Sequence, residues 1–216
     1  MNKQRIVRAW RRHVPELFGK PGRILYVGAC VRHFTGAREL AEAGNELTVV
    51  EVWGPFLEEL MADGQSSLIA HAVVGDVRTL DLGALPHEHY EYAIFCHGPE
   101  HLPMKDVRDA FLRLEAVADI VLLATPDGWM PNPANRGNPY TEHQSAWHVS
   151  DFRAWEEWAV ASDGEDIVAW WRRSGPQPAR AARFDPYRLI LARDRTPIYG
   201  GGRLDARQEN TPFAIG

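Results

Sequence analysis

The sequence predicts an α/β fold: a doubly wound, mostly parallel sheet with helices on both faces. Three observations point there. Short apolar runs of strand character alternate with stretches of helical periodicity from Arg23 to Ala124. Several runs end on a glycine or an acid where the next helical pattern begins, as a buried parallel strand does when it feeds a crossover helix. The chain of 216 residues, 45% hydrophobic and 25% charged, suits one sizeable domain with a full core.

Residues 2 to 18 set Ile6, Val7, Trp10, Val14 and Leu17 on one helical face, with Arg5, Arg8, Arg11 and Arg12 largely elsewhere. Such a face suits a helix covering the sheet or a ligand mouth, or else a membrane surface or transit peptide. Gly19, Pro21 and Gly22 end it. We therefore expect an N-terminal helix over residues 1–20, packed on a domain spanning 21–195, with a flexible tail over 196–216.

Ile24 to Val27 is the first strand, closing on Gly28. Phe34, Ala37, Leu40 and Ala41 form a helical stripe that stops at Gly44-Asn45. Leu47 to Val50 is a second strand ending at Glu51, and Pro55 starts a helix through Phe56, Leu57, Leu60 and Met61. Leu68 to Val74 reads as a third strand, and Tyr92 to Cys96 as a fourth. Val107, Ala110, Phe111, Leu114 and Val117 carry the next helix, and Ile120 to Ala124 the fifth strand. The pattern breaks at Pro126 to Tyr140, an irregular loop of the kind that forms lids or substrate-binding segments. Ser150 can cap a helix bearing Phe152, Trp155 and Ala159. Ile167 to Trp171 and Tyr187 to Ala192 are strand candidates that could pair antiparallel at a sheet edge.

A net charge of −5 gives no reason to expect a nucleic-acid partner. No run approaches the roughly 18 apolar residues of a membrane span, and no signal-peptide core precedes the first strand. Two cysteines, Cys30 and Cys96, exclude a disulfide framework and favour a reducing compartment. The expected setting is cytoplasmic.

Ligands of doubly wound sheets sit outside the carboxyl ends of the strands. There this chain places Gly28 and Ala29, then Glu51, then Asp76, then Cys96-His97 with Glu100-His101 beyond. A carboxylate such as Glu51 can accept from both hydroxyls of a ribose, and Asp76 can accept from adenine's exocyclic amine. Each acid alone also reads as a helix cap or a solvated turn residue.

Together these residues resemble the class I S-adenosylmethionine-dependent methyltransferases. Ile-Leu-Tyr-Val-Gly-Ala-Cys is similar to the family's first motif, Val49-Val50-Glu51 to its ribose-binding acid, and Val74-Gly75-Asp76-Val77 to its adenine-binding segment. Cys96-His97-Gly98-Pro99-Glu100-His101-Leu102 resembles the segment many members carry after strand four. The resemblance covers roughly residues 20 to 195. It implies a Rossmann-like, seven-stranded sheet with an antiparallel final pair, and S-adenosylmethionine as cofactor. Gly28 and Ala29 would flank its methionine part, Glu51 its ribose, and Asp76 with Val77 its adenine. Val52 or Trp53 would pack on the adenine face, and Cys96 and His97 would form the floor beneath the methyl donor. The chain departs from the family at Tyr26, where an acid is usual, and at Cys30 and Arg32, where further glycines are usual. Arg32 could pair with the cofactor's carboxylate.

If the acceptor must lose a proton, a histidine is the natural base. His97 and His101 follow strand four and His143 follows the long loop, so these three are the catalytic candidates. His101 reads equally as a tie on Glu100 or on a backbone carbonyl. His97, Glu100, His101, Glu142 and His143 are also of metal-ligating type, but none has tight motif spacing, and no metal is assigned. The aromatic and amide residues of the loop suit a small-molecule acceptor, and the eight tryptophans leave room for a homodimer interface. Arg172, Arg173, Arg180, Arg183 and Arg188 read as a solvated basic face or as a site for an acidic acceptor. Two alternatives remain open: a non-catalytic binding module on the same fold, and an NAD-dependent oxidoreductase. The last is disfavoured because Gly28-Ala29-Cys30 lacks the glycine spacing that a pyrophosphate demands.

Overall fold

The structure is a computed structural model that describes residues 3–173 apart from Arg136 and Glu156. The expected strand at Tyr187 to Ala192, the expected tail and Arg180, Arg183 and Arg188 lie outside the described residues.

Seven strands form one sheet: β1 (Arg23–Val27), β2 (Glu46–Glu51), β3 (His71–Val74), β4 (Tyr90–Cys96), β5 (Ala118–Pro126), β6 (Trp158–Ser162) and β7 (Asp166–Arg172). Their order is β3-β2-β1-β4-β5-β7-β6. β1 to β5 pair in parallel, whereas β7 pairs antiparallel with both β5 and β6. This is the doubly wound, Rossmann-like sheet with an antiparallel final pair that the sequence predicts.

Strand alternation divides the core in two. Leu25, Val27, Ala93, Phe95, Val121 and Leu123 face the layer of α5 (Met104–Val117) and the 147–158 segment. Ile24, Tyr26, Ile94, Cys96, Leu122 and Ala124 face α1 (Lys3–His13), α2 (Glu16–Gly19), α3 (Ala37–Glu42) and α4 (Gly54–Ala62). Because both faces are covered, the central strands read as unbroken apolar runs rather than as alternating ones.

The N-terminal stripe folds onto the sheet. Ile6, Val7, Trp10, Val14 and Leu17 are all buried in the second core layer. Pro15, which has no N–H to donate, divides the stripe into α1 and α2. His13 stacks on Trp170 of β7 with ring centroids 4.6 Å apart, and Arg172 pairs with Glu16.

Two elements differ from the sequence reading. The helix expected from Ser150 is a short 3-10 turn, Asp151–Ala154, followed by strand β6. Helical spacing of the aromatics favours a helix, but their tertiary contacts prevail: the Trp155 ring lies 5.1 to 5.9 Å from those of Phe152, Trp158, Trp147 and Phe111. The antiparallel pair is therefore β6 with β7, so Ile167–Trp171 pairs with a segment before it in sequence. The third strand is also shorter than expected, since Ser66–Leu68 forms a 3-10 turn before His71.

Candidate functional site

A cavity of about 300 Å³ opens at the carboxyl ends of β1 to β4. The chain's strand order reverses there, between β1 and β4, which is where doubly wound sheets bind ligands. At the tip of β1, Gly28 turns with φ +77° and donates its N–H to Val50 at 2.8 Å. Any side chain here would be strained, and its Cβ would meet the Phe95 ring at 3.3 Å. Cys30, Val31, Arg32 and His33 continue the wall. Ala29, expected beside the cofactor, is fully buried in the α1–α4 core layer and outside the lining. Burial pushes the Cys30 thiol up, while partial burial and then the nearby His97 push down His33, which keeps an exposed edge.

Glu51 closes β2 at 6% exposure and accepts from the Trp53 N–H at 2.8 Å. Burial drives its carboxyl up to about 7, against the opposing backbone donors of Trp53 and Val52. Val52 lines the cavity; Trp53 does not, though its ring lies 6.2 Å from that of the wall residue Tyr140. Asp76 and Val77 line the cavity beyond β3. Arg78 grips the Asp76 carboxylate, its Nε 3.0 Å from both oxygens and a terminal nitrogen 2.6 Å from Oδ2. Burial pushes Asp76 up, but the Arg78 hydrogen bonds outweigh it and hold the carboxyl below its ordinary value.

At the tip of β4 the alternation sends Phe95 to the cavity and Cys96 to the opposite layer. The expected floor is thus formed by Phe95 and His97, while Cys96 is sealed in the core, where burial raises its thiol far above the usual range. His97 adopts φ +53°, the only non-glycine residue with positive φ among the described residues. Strain of this kind costs on the order of 1–3 kcal/mol and tends to sit at functional positions. Gly98 follows because nothing larger fits: a Cβ would lie 1.7 Å from Phe95 Cε2.

The next turn, Pro99–His101, presents Glu100, which is 2% exposed. Its Oε1 lies 3.3 Å from His97 Nδ1, and its Oε2 accepts from Thr125 Oγ1 at 3.0 Å. Burial pushes this carboxyl up, but the His97 hydrogen bond and the charges of His97, His101 and His143 outweigh that and hold it low. With Glu100 ionised, Nδ1 is the donor of His97, and Nε2 is left buried with no hydrogen-bond partner among the described residues.

The long loop folds back over this turn. Gln144 and Ser145 both donate backbone N–H to Glu100 O, at 2.7 and 3.1 Å. His143 donates Nδ1–H to Met130 O at 2.6 Å, and its own N–H to Asn132 O at 3.0 Å. His101 donates Nδ1–H to Glu142 O at 3.2 Å. The rings of His101 and His143 meet edge to face, 4.7 Å between centroids. Burial holds His143 below its ordinary value, so near neutral pH it is uncharged with a lone pair on Nε2.

The structure thus brings Gly28, Glu51, Val52, Asp76, Val77, His97, His101 and His143 to one cavity, and leaves Ala29, Trp53 and Cys96 off its wall. Sequence reasoning missed His33, Arg78 and Thr125 altogether. It grouped His97, Glu100, His101 and His143 by residue type, but it did not show that Glu100 would be the buried carboxylate at their centre. The Arg78 clamp carries a local signal, an Asp-x-Arg spacing in a turn, whereas His33 carries none.

No family model matches the chain, and no curated protein does. Solved structures do. Magnesium protoporphyrin IX methyltransferase from Synechocystis PCC 6803 with bound S-adenosylhomocysteine superposes with a TM-score of 0.56 at 16% identity, covering 80% of this chain and 83% of that one. The CcbJ methyltransferase of Streptomyces caelestis gives 0.56 at 13% identity, over 78% and 89%. The N-terminal domain of EvdMO1 with S-adenosylhomocysteine bound gives 0.53 at 20% identity, over 80% and 81%. On strand order, on the direction of every strand pair and on these likenesses, the chain has the fold of the class I S-adenosylmethionine-dependent methyltransferases.

Proposed function

We propose that the chain is an S-adenosylmethionine-dependent methyltransferase acting on a small-molecule acceptor. The observation that carries this reading is the single cavity that joins Gly28, Glu51 and Asp76, one from each of three successive strand tips, to the histidines beyond the fourth. Their chemistry fits an adenosyl ligand. The Gly28 turn has no Cβ to obstruct a close approach, and Glu51 offers a buried carboxylate to two ribose hydroxyls. Val52 and Val77 give apolar contact for the adenine, and the Asp76–Arg78 pair gives its edge polar partners. Cys30 and Arg32 replace small residues near the methionine part, and Arg32 supplies a cation for its carboxylate.

The cofactor, when bound, supplies an electrophilic methyl group on a sulfonium. The protein's part is then to position and deprotonate the acceptor in a site shielded from water. His143 is the proposed general base, because its Nδ1–H is committed to Met130 O and its Nε2 carries a lone pair. His97 is the second candidate, with its Nε2 unpartnered. The 126–147 loop covers this end and gives the acceptor pocket its amides and aromatics. Relatives in fold act on a porphyrin or were crystallised with a sugar, D-fucose, which supports a small organic acceptor here. No helix among the described residues is long and apolar enough to cross a membrane. The two free cysteines support a cytoplasmic setting.

Calorimetry with S-adenosylmethionine, S-adenosylhomocysteine and NAD tests the reading. Binding of both adenosyl ligands and not of NAD is expected. NAD binding alone would make the chain an oxidoreductase, and silence with all three would leave a binding module of other purpose. Methyl transfer to candidate acceptors, followed by mass spectrometry, then separates an enzyme from an occupied but inactive pocket.

A further inference from the structure

We infer that Glu100, His101 and His143 form a binding site for one divalent transition-metal ion at the acceptor end of the cavity. One ligand-type atom from each of the three lies within 4.8 Å of those of the others. Two imidazoles and one carboxylate are a donor set that suits zinc, cobalt, nickel or ferrous iron better than magnesium or calcium, which favour oxygen donors.

The hydrogen bonds around the cluster argue for an ion more strongly than proximity does. A backbone carbonyl can only accept, so His101 Nδ1 and His143 Nδ1 must each carry their proton toward Glu142 O and Met130 O. Anchoring one ring nitrogen on a carbonyl is what orients a histidine and fixes the tautomer of a metal ligand. With both Nδ1 atoms committed to carbonyls, Nε2 is the atom each ring has left to offer a cation, in one cluster with the Glu100 carboxyl. A carboxyl and two imidazoles anchored in this way, with ligand-type atoms this close together, make a three-donor set for a cation.

The carboxylate is supported in the same manner. Thr125 donates to Glu100 Oε2 and His97 lies against Oε1, which fixes the carboxyl plane while leaving each oxygen a further lone pair. The two protein segments involved are locked to each other, since Gln144 and Ser145 both donate to Glu100 O. His143 is thereby held against a turn that lies 43 residues earlier in the chain. Three protein ligands leave coordination positions open, and the cavity fills that side. On the methyl-transfer reading, the ion selects an acceptor with an oxygen ligand, a hydroxyl or carboxylate, and with His143 Nε2 on the ion the role of base falls to His97, the second candidate. The ion site itself does not depend on that reading.

A second group, Glu46, His71 and His87, also gathers ligand-type atoms, at the opposite ends of the strands. It is mostly exposed, and its histidines face Glu46 directly, His87 at 2.5 Å, as in an ordinary hydrogen-bonded pair. It serves as the internal control.

The full chain, stripped with a chelator, is titrated with cobalt chloride and followed by calorimetry and visible absorption. Cobalt is expected to bind with ligand-field bands. His101→Ala and His143→Ala should each lower its affinity about ten- to hundredfold or more, while His71→Ala leaves those bands and that affinity unchanged. Far-ultraviolet circular dichroism checks that each variant is folded, and either cavity variant alone suffices. The inference is overturned if cobalt does not bind, if both cavity variants bind as tightly as the unaltered chain, or if His71→Ala is the change that abolishes binding. S-adenosylhomocysteine is titrated separately into the metal-free chain. Its binding without any cobalt binding would sink the ion site alone, and the converse result would sink the methyltransferase reading alone.

Discussion

Glu51 shows how one strand-tip residue ties stability to ligand binding. In the fold its carboxyl sits at about 7, against an ordinary 4.5. Between those values the folded chain holds a proton that the unfolded chain has released. The stability associated with that proton is fully present below pH 4.5 and is lost as pH rises through 7. The difference amounts to about 3 kcal/mol at most. Glu51→Gln removes the titration, so in urea melts it should gain on the unaltered chain at pH 8 and not at pH 4. Ligand affinity should move the opposite way with pH. An ionised Glu51 accepts from both ribose hydroxyls, so S-adenosylhomocysteine should bind more tightly as pH rises through 7, and in Glu51→Gln that rise should vanish. Glu51 and Asp76 were legible in the sequence because each ends an apolar run. The importance of Glu100 was not, because its partners Thr125 and His143 come from segments that only the fold brings near.

At the scale of the element, short-range pattern succeeded where burial is one-dimensional and failed where neighbours decide. β1, β2, β4, β5 and α5 follow from runs and from 3.6-residue spacing, since each buries a continuous apolar face, whereas the edge strand β3 is mostly exposed and starts later than its apolar run. β6 does not follow, because Phe152, Trp155 and Trp158 pack as an aromatic cluster that helical spacing mimics. A local signal for the hairpin was present in Asp163-Gly164. Gly164 takes φ +86°, and Asp163 Oδ1 accepts the N–H groups of Glu165 and Asp166, both at 3.0 Å. Junctions between elements rest on single polar residues in the same way. Buried Asn45 accepts from Gly22 N at 3.0 Å and donates to Leu17 O and Leu40 O at 3.0 and 2.9 Å. It joins the ends of α2 and α3 to the start of β1. Asn45→Ala takes the side-chain partner from Gly22 N and Leu17 O, while Leu40 O keeps the backbone N–H of residue 45 at 3.2 Å; the cost is about 1–3 kcal/mol for each group that water cannot reach. Equilibrium denaturation should show that loss with little change in the cooperativity of unfolding.

For the whole molecule, the two core layers and the cavity share the same strands, so ligand binding should stabilise everything at once. S-adenosylhomocysteine at a hundred times its dissociation constant should add about 2.7 kcal/mol. For a chain of this size that is a rise in melting midpoint of roughly 5–10 °C, measured by calorimetric scans. The fold class, the helices on both faces and the strand ends where the cavity opens were readable in the sequence, because they depend on the alternation of apolar runs. Which side chain faces the cavity at each strand tip was not readable, since a step of one residue moves Cys96 out of the site and Phe95 into it.

The order in which the strands are made has its own consequence. β6 precedes β7 in the chain yet is laddered only to it, and β7 lies between β6 and β5. While the chain is being synthesised, the outer border of β5 from Ile120 to Pro126 stays bare until Asp166–Arg172 has left the ribosome. A translation product that stops at Ser162 would expose that border beside a cluster of uncovered indole rings. Such a fragment is a natural client for chaperones and a seed for aggregation, although it already contains every residue of the cavity.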